Sequence, residues 1–172
     1  LLKLSTGTFS YDQVVKDLVH QLAQSGLRSI DYASGRSYHI DTAARMVVRT
    51  ASSQLAGKIT EMNIEKTGVE LVYVDAHAGA RPSHAIWQGK VYSYKGSSKK
   101  YPNFVEATNY GDVTGLKGAN CTHNFYPYWE GSPIPEFEEP EPVKVNGKEY
   151  TRYEATQQQR KMERGIRATK RE

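Results

Sequence analysis

Apolar residues recur at helical spacing near the start of the chain. In STGTFSYDQVVKDLVHQLAQSG, Val14, Val15, Leu18, Val19 and Leu22 form one stripe, Ser10 and Gln13 have capping-box spacing, and Gly26 supplies a stop. LRSIDYASGRSYHI alternates instead, and predicts two short strands around a Ser-Gly turn. A long helix then follows through TAARMVVRTASSQLAGKITEMNIEKTG, with Asp41 as its expected N-cap and Gly68 as its end. The small residues Ala43, Ala44, Ala51, Ser52, Ala56 and Gly57 let a neighbour approach closely, while Arg45, Arg49 and Lys58 suit the polar side.

The apolar pattern changes at VELVYVDA, Val69 to Ala76, where apolar residues occupy both parities; that predicts a strand buried on both faces. HAGARPSHAIWQGKVY comes next, with Arg81-Pro82 disfavouring helix before the proline and a short helix expected from Pro82. Gly89 turns the chain into KVYSY, and YPNFVEATNYGDVTGLKGAN mixes a short helix with a glycine-rich loop. CTHNFYPYW predicts an aromatic strand or extended segment, VKVNGKEYT a hairpin about Asn146-Gly147, and RYEATQQQRKMERGIRATKRE a helix with a thin apolar stripe. The expected fold is α+β: a small, mostly antiparallel sheet packed by two main helices, with a C-terminal hairpin and basic helix on an acidic Pro-rich tether. Residues 1–131 make the expected domain, 132–142 the tether and 143–172 a docking arm.

Composition narrows this. A length of 172 residues suits one domain with an appendage, and 38% hydrophobic residues imply a modest core. No apolar run approaches the roughly 20 residues that span a bilayer, and no signal peptide opens the chain. The first residue is Leu, which suggests a fragment or a processed product. The single cysteine, Cys121, excludes an intrachain disulfide and fits synthesis in a reducing cytosol. Net charge is +4, unevenly placed: Ser132–Pro142 carries four glutamates and no base, whereas the chain from Arg152 onward holds seven Lys/Arg against three Glu. Arg160, Lys161, Arg164, Arg167, Lys170 and Arg171 are therefore candidates for contact with nucleic acid or an acidic partner. Lys95, Lys99 and Lys100 form a second basic patch.

Candidate chemistry gathers around His77, His84, Cys121 and His123. Residues two apart on an extended segment face the same side, so Cys121 and His123 can present sulfur and imidazole together. Adding His84 or His77 supplies the three or four N/S ligands that zinc prefers. The bland alternative makes Cys121 a small buried hydrophobe and hydrogen-bonds His123 to a loop carbonyl. Two enzyme readings stand beside these. One pairs Cys121 as nucleophile with His77 and Asp75 or Asn120; the other, nuclease- or transferase-like, uses His77, His84 and Lys90. Phe125, Tyr126, Tyr128 and Trp129 could stack on bases, though Pro127 and Pro133 beside them favour packing. A nucleic-acid-binding module built on the basic tail is the remaining alternative.

VDAHAGARPSHAIWQGKVY, YPNFVEATNYGDVTGLKGANCTHNFYPYWEG and GKEYTRYEATQQQRKMERGIR, in this order, resemble the C-terminal region of the tailed-phage minor capsid protein 2 family. That family looks related to the Mu F-like head morphogenesis proteins, some of which carry C-terminal toxin domains; the tail here is too short for one. The resemblance implies a low-copy virion component made in the bacterial cytoplasm. It would sit at the portal or inside the procapsid and act in head assembly, DNA packaging or delivery. Portal or major capsid proteins are the implied partners, with DNA as a further one and no membrane. The family's motif positions fall on His77, Arg81, Ser83, His84, Trp87, Gln88, Gly89 and Lys90, then on Asn120, Cys121, His123 and Pro127. An arginine usually stands between the cysteine and the histidine, where this chain has Thr122. Any role for that guanidinium is therefore in doubt, whereas a Cys/His metal pair is untouched.

Overall fold

The computed structural model describes residues 6–170. Within these it comprises two compact units, residues 6–69 with 109–124 and residues 70–108 with 125–170. Helices and short antiparallel strands alternate, which makes the class α+β.

In the first unit, α1 (Tyr11–Gln24) starts where the pattern predicts: Ser10 is its N-cap and accepts from the Gln13 N–H at 3.2 Å. A hairpin of β1 (Ser29–Asp31) and β2 (Ser37–His39) follows, paired Ser29 with His39, and Gly35 takes the left-handed conformation at its turn. α2 (Ile40–Thr67) begins directly off β2. Its N-cap position is His39, which makes no side-chain capping bond, and not Asp41 as expected. The strand runs into the helix without a loop, so Asp41 falls in the first turn, where its charge still faces the positive end of the helix. Gly68, left-handed at φ 67°, ends α2 as predicted. Val15, Ala44 and Val48 form the interhelical core, flanked by Tyr11, Val14, Leu18 and Val19. Ala44 packs in this core, and Ala43 beside it is fully buried.

The second unit is built on a three-stranded sheet ordered β4-β3-β5, from β3 (Leu71–Val74), β4 (Val91–Ser93) and β5 (Phe125–Tyr128). The central strand is the one whose sequence is apolar at both parities. Val72 and Val74 are wholly buried on one face, and Tyr73 packs with Val91 and Tyr128 on the other. Pro127 opposes Val72 from an edge strand, the position in a sheet that tolerates a missing N–H. A short helix α3 (Pro82–Ala85) lies between β3 and β4. α4 (Phe104–Thr108) is capped by Asn103, and its Phe104 ring sits 5.0 Å from that of Phe125. The strands are thus shared among three small sheets, since β6 (Val143–Val145) and β7 (Lys148–Tyr150) pair only with each other. Asn146 and Gly147 both have positive φ, as a type I′ turn requires. α5 (Arg152–Thr169) opens on a complete capping box between Thr151 and Glu154, and none of its residues is buried. No helix among the described residues is long and apolar enough to cross a membrane.

Candidate functional site

The segment from Asp75 to Lys90 closes on itself. The Arg81 backbone is extended, Pro82 opens α3, and the Arg81 carbonyl accepts from the N–H groups of His84 and Ala85. The His84 carbonyl accepts in turn from Trp87 and Gln88, and the Gly89 N–H returns to Val74 at 3.0 Å. Gly89 has φ +69°, which a β-carbon would strain, so the glycine at the return is a backbone requirement. The Tyr92 hydroxyl donates to the Trp87 carbonyl at 2.7 Å, and burial pushes its pKa up to about 12. His84 is consequently 2% exposed, with its ring 4.5 Å from that of Trp87. His77 is only partly buried, and its N–H donates to the Gln88 side chain at 3.1 Å.

In the first unit, residues 109–124 form an irregular but tightly determined loop. Asn109, Lys117 and Asn120 are all left-handed. A β-carbon on Gly115 would stand 1.9 Å from the Asn109 carbonyl oxygen, and one on Gly118 2.4 Å from that of Val113. The Asp112 carboxylate accepts from the Thr114 N–H and hydroxyl, and these bonds hold its pKa below the ordinary value. Leu116 is fully buried. The loop is tied to α2 by Asn120 N–H to Thr50, Ser53 hydroxyl to the Cys121 carbonyl, and Tyr110 hydroxyl to Glu61 at 2.7 Å.

This scaffold holds Cys121 and His123 side by side, 2% and 1% exposed, with Sγ 3.7 Å from Nδ1. Two ligands sharing a tetrahedral zinc, at about 2.3 Å for sulfur and about 2.05 Å for nitrogen, stand about 3.6 Å apart. The pair therefore has the spacing of a zinc edge. Cys121 and His123 belong to the first unit, and His84, buried within its own turn, to the second. His77, the other expected ligand, is also in the second unit, with its backbone held in the turn by Gln88.

The remaining expected residues have different surroundings. Lys90 is exposed, and its ammonium donates to the Ile86 carbonyl at 2.6 Å, whereas His84 is enclosed. Ser83 is exposed on α3. Of the aromatic run, Phe125 and Tyr128 are core, while Tyr126 and Trp129 are exposed. Lys100 pairs with Glu130 at 2.5 Å, both exposed. Arg160, Lys161, Arg164 and Lys170 are exposed, and Arg167 reaches Glu163 at 3.9 Å; Arg171 lies outside the described residues.

Two features escaped the sequence reading. Lys117, in a run that looks like a surface loop, is 4% exposed and donates to the Asn124 side chain. A cleft of about 490 Å³ opens in the second unit among Tyr73, Asp75, Tyr126, Trp129, Glu136 and Phe137. Burial first, and then the charge of Asp75, raises the pKa of the Tyr73 and Tyr126 hydroxyls. The period-two alternation of Tyr73 with Asp75, and of Tyr126 with Tyr128, was the signal available for it.

The model of a family described as phage minor capsid protein 2 matches residues 1–172. A relative described as a structural protein, from Lactococcus phage LL-H, is 27% identical over 179 residues, which cover 98% of this chain and 46% of the relative. The chain thus spans about half the length of that curated relative. No solved structure matches.

Proposed function

The chain belongs to the phage minor capsid protein 2 family, and from that premise we propose that it is part of a low-copy virion component at the portal or inside the procapsid, acting in head assembly, DNA packaging or delivery. The family match across the whole chain carries this reading. The short, closed loops of both units agree with a structural part, and the exposed basic face of α5 suits contact with another virion protein or with DNA. Kinship with Mu F-like head morphogenesis proteins belongs to the same proposal. Quantitative mass spectrometry of purified particles, with and without their DNA, tests it. Detection at a few copies per particle, retained in empty heads together with the portal, is the expected result. Presence only in lysate, or at the abundance of a major shell protein, overturns it.

Within that role, zinc held by His84, Cys121 and His123 serves as a structural fastener. Two imidazoles and one thiol are a zinc-type donor set, each of the three is buried in its own unit, and the Cys121–His123 spacing fits. Bound zinc would keep the thiol deprotonated and add its binding energy to folding. Elemental analysis of the purified chain is the test: about one zinc per chain, lost in both Cys121→Ser and His84→Ala and released by chelator with a fall in Tm. A chain that purifies without zinc, and whose Tm added zinc leaves unmoved, defeats the assignment.

A further inference from the structure

The second unit carries two patches of opposite charge. One is the aromatic cleft, with Asp75 in its lining and Glu136 at the start of an acidic run that continues through Glu138, Glu139 and Glu141. The other is a row on α5. Arg160, Arg164 and Arg167 stand at i, i+4 and i+7 and so share one helix face.

The root of α5 is fastened and its far end is not. A β-carbon on Gly79 would lie 3.3 Å from the Arg152 backbone, and the Gly79 N–H donates to Glu139 at 2.9 Å. From that root the helix carries the arginine row from about 12 Å to about 22 Å along its axis. Among the described residues, the one ion pair the row makes is Arg167 with Glu163 in its own helix.

We propose that the acidic aromatic cleft of one copy receives the arginine row of α5 from a second copy. The lining suits guanidinium groups on two counts. Carboxylates at Asp75 and Glu136 accept their hydrogen bonds, and the exposed rings of Tyr126 and Trp129 offer faces for cation–π stacking. A carboxylate inside a partly dry, ring-lined cleft interacts with a cation more strongly than one in open water. Because cleft and row are different surfaces, the contact is head-to-tail, and repetition generates a ring or an open chain of copies, not a simple two-fold pair.

The test is sedimentation velocity of the 172-residue chain over a range of concentrations, between about 0.05 M and about 0.5 M salt, as the screening length shortens several-fold. Expected are species larger than a monomer at low salt, with an apparent Kd that rises at least tenfold at high salt. Either Asp75→Lys with Glu136→Lys, or Arg160→Glu with Arg164→Glu and Arg167→Glu, should leave a monomer. Mixing those two variants should restore association in alternating copies, through the native row of the first on the native cleft of the second and through the reversed pair. The triple α5 change touches no buried residue, so its effect cannot come from unfolding. A chain monomeric at every concentration in low salt overturns the proposal. So does assembly that ignores both variants, or a triple variant that loses DNA binding while assembling as before.

Discussion

Residues 109–124 and residues 143–170 reverse the usual relation between regularity and rigidity. The first stretch has no helix or strand, yet Leu116, Cys121 and His123 within it are almost completely buried. Its path is set by close approaches that only glycine permits at 115 and 118 and by left-handed turns at Asn109, Lys117 and Asn120. The second stretch is nearly all hairpin and helix but buries no residue. Local chemistry holds it: Asn146-Gly147 in the turn and the Thr151–Glu154 box at the helix start. Regular structure can thus arise from local preference alone, while an irregular loop can be over-determined by packing.

Substitutions should separate these two kinds of order. Gly115→Ala should act most strongly, because a β-carbon 1.9 Å from a backbone oxygen cannot be relieved by a side-chain rotation. A loss above about 4 kcal/mol is expected in chemical denaturation, in the range reserved for forced rearrangement. A loss under about 1 kcal/mol would mean that the loop is less constrained than its contacts imply. Leu116→Ala follows at about 3 kcal/mol, the cost of emptying a fully buried leucine site. Thr151→Ala in the arm should cost about 1 kcal/mol of local helix stability. It should reduce the far-UV helical signal and leave the main unfolding midpoint in place. A shift of the main midpoint as large as that of Leu116→Ala would erase the contrast.

The same contrast explains what the sequence disclosed. The apolar stripe with Ser10, the stop at Gly68 and the Asn146-Gly147 turn were legible because each is decided within a few residues. The order β4-β3-β5 was not, since it pairs Val72 with both Tyr92 and Pro127, far apart in the chain. The α2 start was misjudged at Asp41 because capping preference is local, whereas the approach of β2 moved the boundary to Ile40. At the site, the two-residue spacing of Cys121 and His123 was enough to place them together. The bond from the His77 N–H to the Gln88 side chain, eleven residues away, is a contact that no spacing rule reports. Lys117 drew no notice in the sequence, where it stands among glycines in a loop. Its burial follows from a left-handed turn that directs the side chain toward Gly57 and Asn124.

Acid offers the mildest probe, since each region contains one carboxylate with a lowered pKa. Glu154 accepts from the Thr151 N–H and hydroxyl, and Asp112 from those of Thr114, with backbone and side-chain donors in both cases. Both pKa values lie below the ordinary ones in the folded chain, so the stabilisation is fully present above pH 4.5 or so and is lost as pH falls through the folded values. In the arm that carboxylate is half of the capping device, and its protonation should fray the first turn of α5. In the loop, Leu116 and the glycine contacts remain, and protonation of Asp112 should leave the backbone where it is. Amide chemical shifts followed from pH 6 to pH 3 should therefore move at Thr151 to Ala155 well before those at Gly115 to Cys121. Glu154→Gln should flatten the arm's response, because an amide oxygen accepts the same bonds without titrating. If the loop amides move first, packing does not hold residues 109–124, and the two regions owe their order to the same local chemistry.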